Sequence, residues 1–413
     1  MTSLLLDIVV IFTMSAVAVV LCHRFSIPSS IGLLLAGVLA GPDLFRLVQN
    51  VHEIELLAEI GVVLLLFVIG LEISLADVAR LSRHFLIGGS LQFFGTAALV
   101  GAICMGLGLS PGQGVYVGFV VALSSTAIVL RMLQERAELE TPHGRTTLAI
   151  LIYQDVGVVP VMLIAPLLAG VGSASGGGTI AALLGRIALV ALVAWLAWRW
   201  IVPWLLERIT RTRSSEAFLL GVFSLCVGIA MMTQSLGLSL ALGAFLAGFI
   251  LSESEYSHQA VAVMLPFRDV LMSLFFVSIG MLLDIQFMLA HPLSLLLLTL
   301  GVVLVKPLVA AGSALVVGLP LGGSVLTGLA LAQVGEFSLV ATKAGVSTGL
   351  LGPDIFQTVL DVAVLSMMLT PALVACGPGL AAWVATTPPC GGWSAAAWCR
   401  SAPAAPMASA VTS

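Results

Sequence analysis

The 413-residue sequence predicts an all-α integral membrane protein of about thirteen transmembrane helices, and three observations lead there. The first is composition: 60% of the residues are hydrophobic and 9% are charged, with a mean hydropathy of +1.17. Soluble chains run near ~45–50% apolar and ~25% charged, so 16 basic and 20 acidic side chains cannot coat a soluble body of this length. The second is a series of apolar runs, each close to the ~20 residues that a ~30 Å hydrocarbon core requires, separated by helix breakers. The third is that basic residues gather between alternate runs. A net charge of −4 also excludes the basic field that nucleic acid binding needs.

The first span, 4–22, carries Asp7, has no basic segment before it and runs into Cys22-His23-Arg24, so it reads as a membrane helix and not as a cleaved signal peptide. Ile27-Pro28 opens the second span, 28–45, and Gly41-Pro42 falls within its end. Spans at 56–75 and 85–108 follow, and Ser110-Pro111 introduces 113–132. Next comes 146–170, separated by the Gly/Ser run 172–178 from a linker helix at 180–204. The remaining spans are 217–235, 237–252, 266–284, 292–318 after His291-Pro292, 322–345 after Leu319-Pro320, and 356–378 after Gly352-Pro353. With the N-terminus outside, twelve basic residues, including Arg131, Arg136, Arg208, Arg211 and Arg213, fall on the cytoplasmic side. Arg46, Arg186 and Lys343 fall outside, and Lys306 lies within a span. That bias orients the chain with its C-terminus inside.

Residues 4–170 and 217–378 then enter the membrane from opposite sides, an inverted-topology repeat joined by the linker helix. Together 1–378 form one membrane domain; 379–413, rich in Ala and Pro with Arg400 as its one charge, reads as a disordered or truncated tail. The six cysteines show no metal-ligand spacing and read as packing residues. The six histidines form no catalytic or metal spacing, so nothing points to an enzyme or to a bound cofactor.

Function is carried by charges inside spans, since an ionised side chain at mid-bilayer costs roughly 2.5–3.5 kcal/mol. Four stand out: Glu72, Asp155, Lys306 and Glu336. Asp155 lies ~14 Å from the cytoplasmic edge at 1.5 Å per residue. Lys306, entering from outside, lies ~9 Å from the same edge of a ~30 Å core, so the two opposite charges reach nearly one depth. Glu336 lies ~21 Å into its helix and needs a partner, a proton or a cavity. Glu72, about one turn from the cytoplasmic edge, reads as an interfacial or packing carboxylate.

Two spans look unable to continue as regular helix. Leu123-Ser124-Ser125-Thr126 interrupts one with clustered hydroxyls that compete for backbone hydrogen bonds, and Gln333-Val334-Gly335-Glu336 interrupts the other. Both are the fifth helix of their repeat. Discontinuous helices at matching positions are the best sequence pointer to a transport site.

At these residues the chain resembles the monovalent cation:proton antiporter-2 family, in its glutathione-gated potassium efflux (Kef-type) branch. The matching strings include Ala40-Gly41-Pro42, Phe67 to Glu72, Ala122 to Ala127, Ala149 to Asp155, Phe275 to Met281 and Gln333 to Phe337, and the likeness covers roughly 4–378. The Gln154-Asp155 pair is its most specific element. The resemblance implies a sodium/proton antiporter-like fold, with a dimerisation part and a moving core in which the two broken helices cross. By matching position it implies Asp155 as the ion- and proton-carrying carboxylate, Gln154 as its polar neighbour and Lys306 close by. Ser124, Ser125 and Thr126 would lie at the crossing, with Gln333, Glu336 and Glu72 as accessory positions. It further implies a homodimer in lipid, in a bacterial inner membrane, with K⁺ or Na⁺ and H⁺ as cargo. Relatives of this branch continue into a nucleotide-binding regulatory domain, which the last 35 residues here cannot form, so gating is not carried over.

The expected activity is exchange of a monovalent cation, K⁺ favoured, for protons at one buried aspartate. Two other classes stay open at the level of sequence: a channel-like potassium pathway, although no Thr-Val-Gly-Tyr-Gly filter is present, and a sodium-coupled organic solute symporter.

Overall fold

The computed structural model describes residues 2–24, 28–42, 44–48, 51–72, 83–170, 185, 189, 192, 195–236 and 240–386. Every regular element among them is helical. In chain order these are α1 (Thr2–Arg24), α2 (Ser29–Ala40), α3 (Val51–Glu72), α4 (His84–Gly106), α5 (Pro111–Ala122), α6 (Thr126–Glu135), α7 (Pro142–Gly170) and α8 (Val202–Thr210). There follow α9 (Ser215–Ser235), α10 (Leu240–Ser252), α11 (Ser257–Met281), α12 (Ile285–Ala290), α13 (Pro292–Val317), α14 (Leu321–Ala330), α15 (Glu336–Ser347) and α16 (Pro353–Thr386). Among the described residues, eight stretches are long and apolar enough to cross a membrane, α5 and α6 being taken as one; α2, α10, α14 and part of α3 are shorter apolar helices.

The helix ends follow local chemistry. Pro111 takes the first position of α5, where its missing N–H costs nothing, and Ser110 and Gln113 cap each other reciprocally. Asp284 caps α12 by accepting from the Phe287 amide at 3.0 Å. Gly318, at φ 108°, ends α13 in the left-handed region that a side chain would disfavour.

Two expected boundaries move. Pro266 was expected to open a span, but α11 begins at Ser257 and carries Pro266 within it. A membrane helix tolerates an interior proline where neighbours satisfy the freed carbonyl. Similarly, α16 passes Pro371 and Pro378 and ends at Thr386, so the expected tail is helical over its first eight residues, 379–386. Its remainder, 387–413, lies outside the described residues, as do 180–184, 186–188, 190–191 and 193–194 of the expected linker helix at 180–204. That linker ends in a π-helical turn, Ala197–Ile201, and continues as α8, where the Arg208 guanidinium lies 5.5 Å from the centre of the Trp204 ring.

The helices pack as two groups. One contains α1, α2 and α3 with α9, α10 and α11; the other contains α4 to α7 with α13 to α16. Within the first group α2 packs on α11 and α3 on α10, through backbone-to-backbone approaches that only glycine permits. A Cβ on Gly37 would collide with the Val277 carbonyl, and one on Gly248 with the Phe67 carbonyl. Close approach of this kind holds membrane helices together, because lipid removes the hydrophobic drive for their association.

Between the groups lie two openings at opposite ends. One, of about 270 Å³, is lined by Glu59 and Val62 of α3, Ser278 of α11, and Leu339 and Lys343 of α15. The Lys343 ammonium pairs with Glu59 across it at 2.9 Å. The other, of about 260 Å³, is lined by Pro28, Arg131, Met132, Arg136 and Pro371, and there Arg131 donates to the Ser29 hydroxyl at the start of α2.

Gly248→Ala should lower stability by about 1–3 kcal/mol, because the added carbon has no room. Gly301→Ala, where nothing lies within 4 Å, should not. Equal melting temperatures for the two variants in detergent would contradict this account of the α3–α10 contact.

Candidate functional site

The second group is organised around two interruptions that touch. The first, residues 123–125 between α5 and α6, is extended at Leu123 (ψ 138°) and Ser125 (ψ 107°). The second, residues 331–335 between α14 and α15, ends on extended Gly335. The Gly335 N–H donates to the Leu123 carbonyl at 3.1 Å, and a Cβ on Gly335 would strike the Ser124 backbone, so the crossing closes only around glycine. Side chains add to this seam. The Ser124 hydroxyl donates to the Leu331 carbonyl at 3.2 Å, Ser338 donates to Val120 at 2.7 Å, and the Tyr116 hydroxyl donates to Ala341 at 2.6 Å.

Lys306, fully buried on α13, reaches into this crossing. Its ammonium donates to the Leu123 carbonyl at 2.8 Å, the Ser124 hydroxyl at 3.0 Å and the Gln333 carbonyl at 2.6 Å. These three bonds match the three donors of an ammonium, and they join the two broken helices at their C-terminal ends.

Gln154 and Asp155 approach from α7. The Ser124 N–H can only donate, so the oxygen of the Gln154 amide faces it, at 2.7 Å. The Gln154 nitrogen then donates to the Gln92 oxygen at 2.7 Å, and the Gln92 nitrogen to the Ala122 carbonyl at 3.2 Å. In this structure Gln154 therefore braces the end of α5, with both ends of its amide engaged. Asp155, 8% exposed, has both carboxylate oxygens 3.0 Å from the Thr126 hydroxyl, in the first turn of α6. Ser125 caps α6 by accepting from the Ile128 amide at 3.2 Å, and it also hydrogen-bonds the Glu336 carboxyl, as does the Ala127 backbone.

The charges sort by helix end. Carbonyls at the C-terminal ends of α5 and α14 converge on Lys306, whereas Asp155 lies at the N-terminus of α6 and Glu336 at that of α15. A helix end carries roughly half an elementary charge. One ammonium thus offsets two C-terminal ends, and one carboxylate offsets two N-terminal ends. The second carboxylate is a negative charge in excess of what these helix ends offset. Three buried polar atoms here, both ends of the Gln333 amide and Oε2 of Glu336, have no hydrogen-bond partner in the protein.

Of the residues picked out from sequence, Ser124, Ser125, Thr126, Gln154, Asp155, Lys306, Gln333 and Glu336 meet at this crossing. Glu72 ends α3, in the other group of helices, and its side chain lies outside the described residues. The sequence reading missed Gln92, although a lone amide in the apolar run 85–108 signals a buried partner. It also passed over Asp361, the one acid in the span 356–378, which is fully buried.

The sodium/hydrogen exchanger, transmembrane family matches residues 8–375. K(+) efflux antiporter 2, chloroplastic, of Arabidopsis thaliana is 36% identical over 382 residues, which are 90% of this chain and 32% of that protein. The glutathione-regulated potassium-efflux system protein KefC of Enterobacter sp. (strain 638) is 34% identical over 364 residues, 87% of this chain and 58% of the relative. The chain thus spans from about a third to about three fifths of the length of these curated relatives. Among solved structures, the sodium proton antiporter MjNhaP1 from Methanocaldococcus jannaschii superposes with a TM-score of 0.67 at 17% identity, covering 91% of this chain and 97% of that one, a likeness of fold.

Lys306→Met keeps bulk on α13 but strands the Gln333 carbonyl and leaves the Leu123 carbonyl with the Gly335 N–H alone. It should cost about 1–3 kcal/mol, the range for leaving a buried polar group without its donor. Thermal unfolding of the purified variant reads this directly, and a melting temperature equal to that of the parent chain would refute the bridging role.

Proposed function

The chain belongs to the sodium/hydrogen exchanger, transmembrane family, and from that premise we propose that it exchanges a monovalent cation, K⁺ by preference, for protons across a membrane, with Asp155 as the carrying group. The observation that carries this reading is the surplus carboxylate at the crossing. Asp155 and Glu336 share two helix N-termini that offset only one negative charge, so the pair holds one exchangeable positive charge. A proton or a monovalent cation fills that role equally well, and competition between them couples the two fluxes. Asp155 is the better carrier because it retains some exposure, whereas Glu336 is enclosed by Ser125 and Ala127.

In this reading the two groups of helices move against each other. The group containing α4 to α7 and α13 to α16 carries the site, and the openings at either end of the junction supply access from one side at a time. The Lys343–Glu59 pair and the Arg131–Ser29 contact tie the groups at opposite ends and must part in alternation. A site that is neutral only when loaded crosses readily only when loaded, which prevents uncoupled leak.

The same proposal includes about thirteen crossings arranged as inverted repeats. Supporting it, Leu34-Leu35-Ala36-Gly37 on α2 and Phe245-Leu246-Ala247-Gly248 on α10 make corresponding close contacts, with α11 and α3 respectively. The distribution of basic residues supports an N-terminus outside and a C-terminus in the cytoplasm, and the bacterial potassium-efflux relatives support a bacterial inner membrane. A homodimer formed through the first group of helices completes the picture. The preference for K⁺ rests on the K⁺ efflux relatives and on the Gln154-Asp155 pair.

In proteoliposomes, a K⁺ gradient should drive proton flux, Na⁺ and Li⁺ should drive less, and Asp155→Asn should abolish the flux while the variant still unfolds at the parent's temperature. Undiminished proton flux in Asp155→Asn would remove the mechanism. Cation current without proton movement in the parent chain would indicate a channel.

A further inference from the structure

Asp361 lies in the third turn of α16, fully buried, and the crossing described above does not use it. One of its oxygens accepts from the Gln357 amide nitrogen at 3.1 Å. The other, Oδ2, has no hydrogen-bond partner in the protein. A buried carboxylate oxygen left without a donor costs several kcal/mol unless a proton or a ligand compensates it. The charged neighbour that acts on Asp361 makes matters worse, because it is another carboxylate, Asp284. Asp284 is exposed and caps α12 through Oδ1, at the link between α11 of one helix group and α13 of the other. Asp361 itself belongs to the second group, so the pair straddles their junction.

The Val334 N–H in the second interruption donates at 3.1 Å to the hydroxyl of Ser366, five residues further along α16, which fixes the level of the crossing on this helix. At 1.5 Å per residue, Asp361 is about 7.5 Å from that level, toward the beginning of α16. In the orientation proposed above this is the outer side. We propose that Asp361, Gln357 and Asp284 form a second monovalent-cation site, outside the one at Asp155. The donors are two carboxylates and an amide oxygen, with no nitrogen or sulfur ligand among them, the set that suits a hard cation. Such a cation satisfies Oδ2 of Asp361 and turns the repulsion between the two carboxylates into attraction. The choice of K⁺ as occupant rests on the exchange reading; the site itself does not.

Equilibrium K⁺ binding to the purified full chain tests this. The parent chain should bind two K⁺, and Asp155→Asn and Asp361→Asn should each bind one. In proteoliposomes Asp361→Asn should still exchange, with the KM for external K⁺ raised about tenfold and kcat falling by less than KM rises. Asp284→Asn, at an exposed position that does not endanger folding, should raise the same KM about threefold. Two bound K⁺ in Asp361→Asn, or an external KM unchanged in Asp284→Asn, would overturn the proposal, and Ca²⁺ displacing K⁺ at equal concentration would overturn the monovalent assignment. If the parent chain bound two K⁺ yet moved no protons, the exchange reading would fail while the second site stood.

Discussion

A helix that breaks inside a bilayer frees backbone amides and carbonyls where no water can reach them, and the rest of this structure follows from how those groups are satisfied. Here the two breaks satisfy each other. Gly335 donates to Leu123, Ser124 donates to Leu331, and Lys306 ties carbonyls of both breaks with a single ammonium. Lys306 costs less at mid-membrane than a lone cation would, because its charge meets the negative ends of two helices. Each component needs the other: the breaks give the lysine its partners, and the lysine closes the breaks.

With the C-terminal ends so occupied, the N-terminal ends are left to face acids. Asp155 and Glu336 sit at those ends, and the chemistry proposed for the protein grows from that division. The Gln92–Gln154 chain has a mechanical part in it, since it holds the end of α5 where Ser124 can meet both Lys306 and Leu331. A brace of this kind suits a carrying group that has to keep its shape while moving. In the exchange proposed above, the glycine contacts of α2, α3, α10 and α11 would supply the rigid frame for it to move against.

Much of this was legible in the sequence because the bilayer limits the alternatives. A chain with 9% charge must span lipid, and the clustered hydroxyls at 124–126 and the Gln-Val-Gly-Glu at 333–336 betray helices that cannot run through. Depth along a helix is simple arithmetic, which brought Asp155 and Lys306 to one level from 151 residues apart. Proline was the weaker guide. It marks a break in water, but α11 and α16 carry Pro266, Pro371 and Pro378 inside them, because packed neighbours can take up what proline frees.

The sequence by itself determined the class of protein, the two breaks and the residues of the crossing, since each depends on how often polar groups occur along a lipid-facing chain. Only the tertiary structure decided what those groups bond. It directed Lys306 to carbonyls and a hydroxyl, engaged Gln154 as a brace through Gln92, and left Oδ2 of Asp361 without a donor. Hydropathy records that a polar atom is buried. Which atom faces it depends on the rotation and crossing of helices far apart in the chain, and one-dimensional spacing carries no record of those.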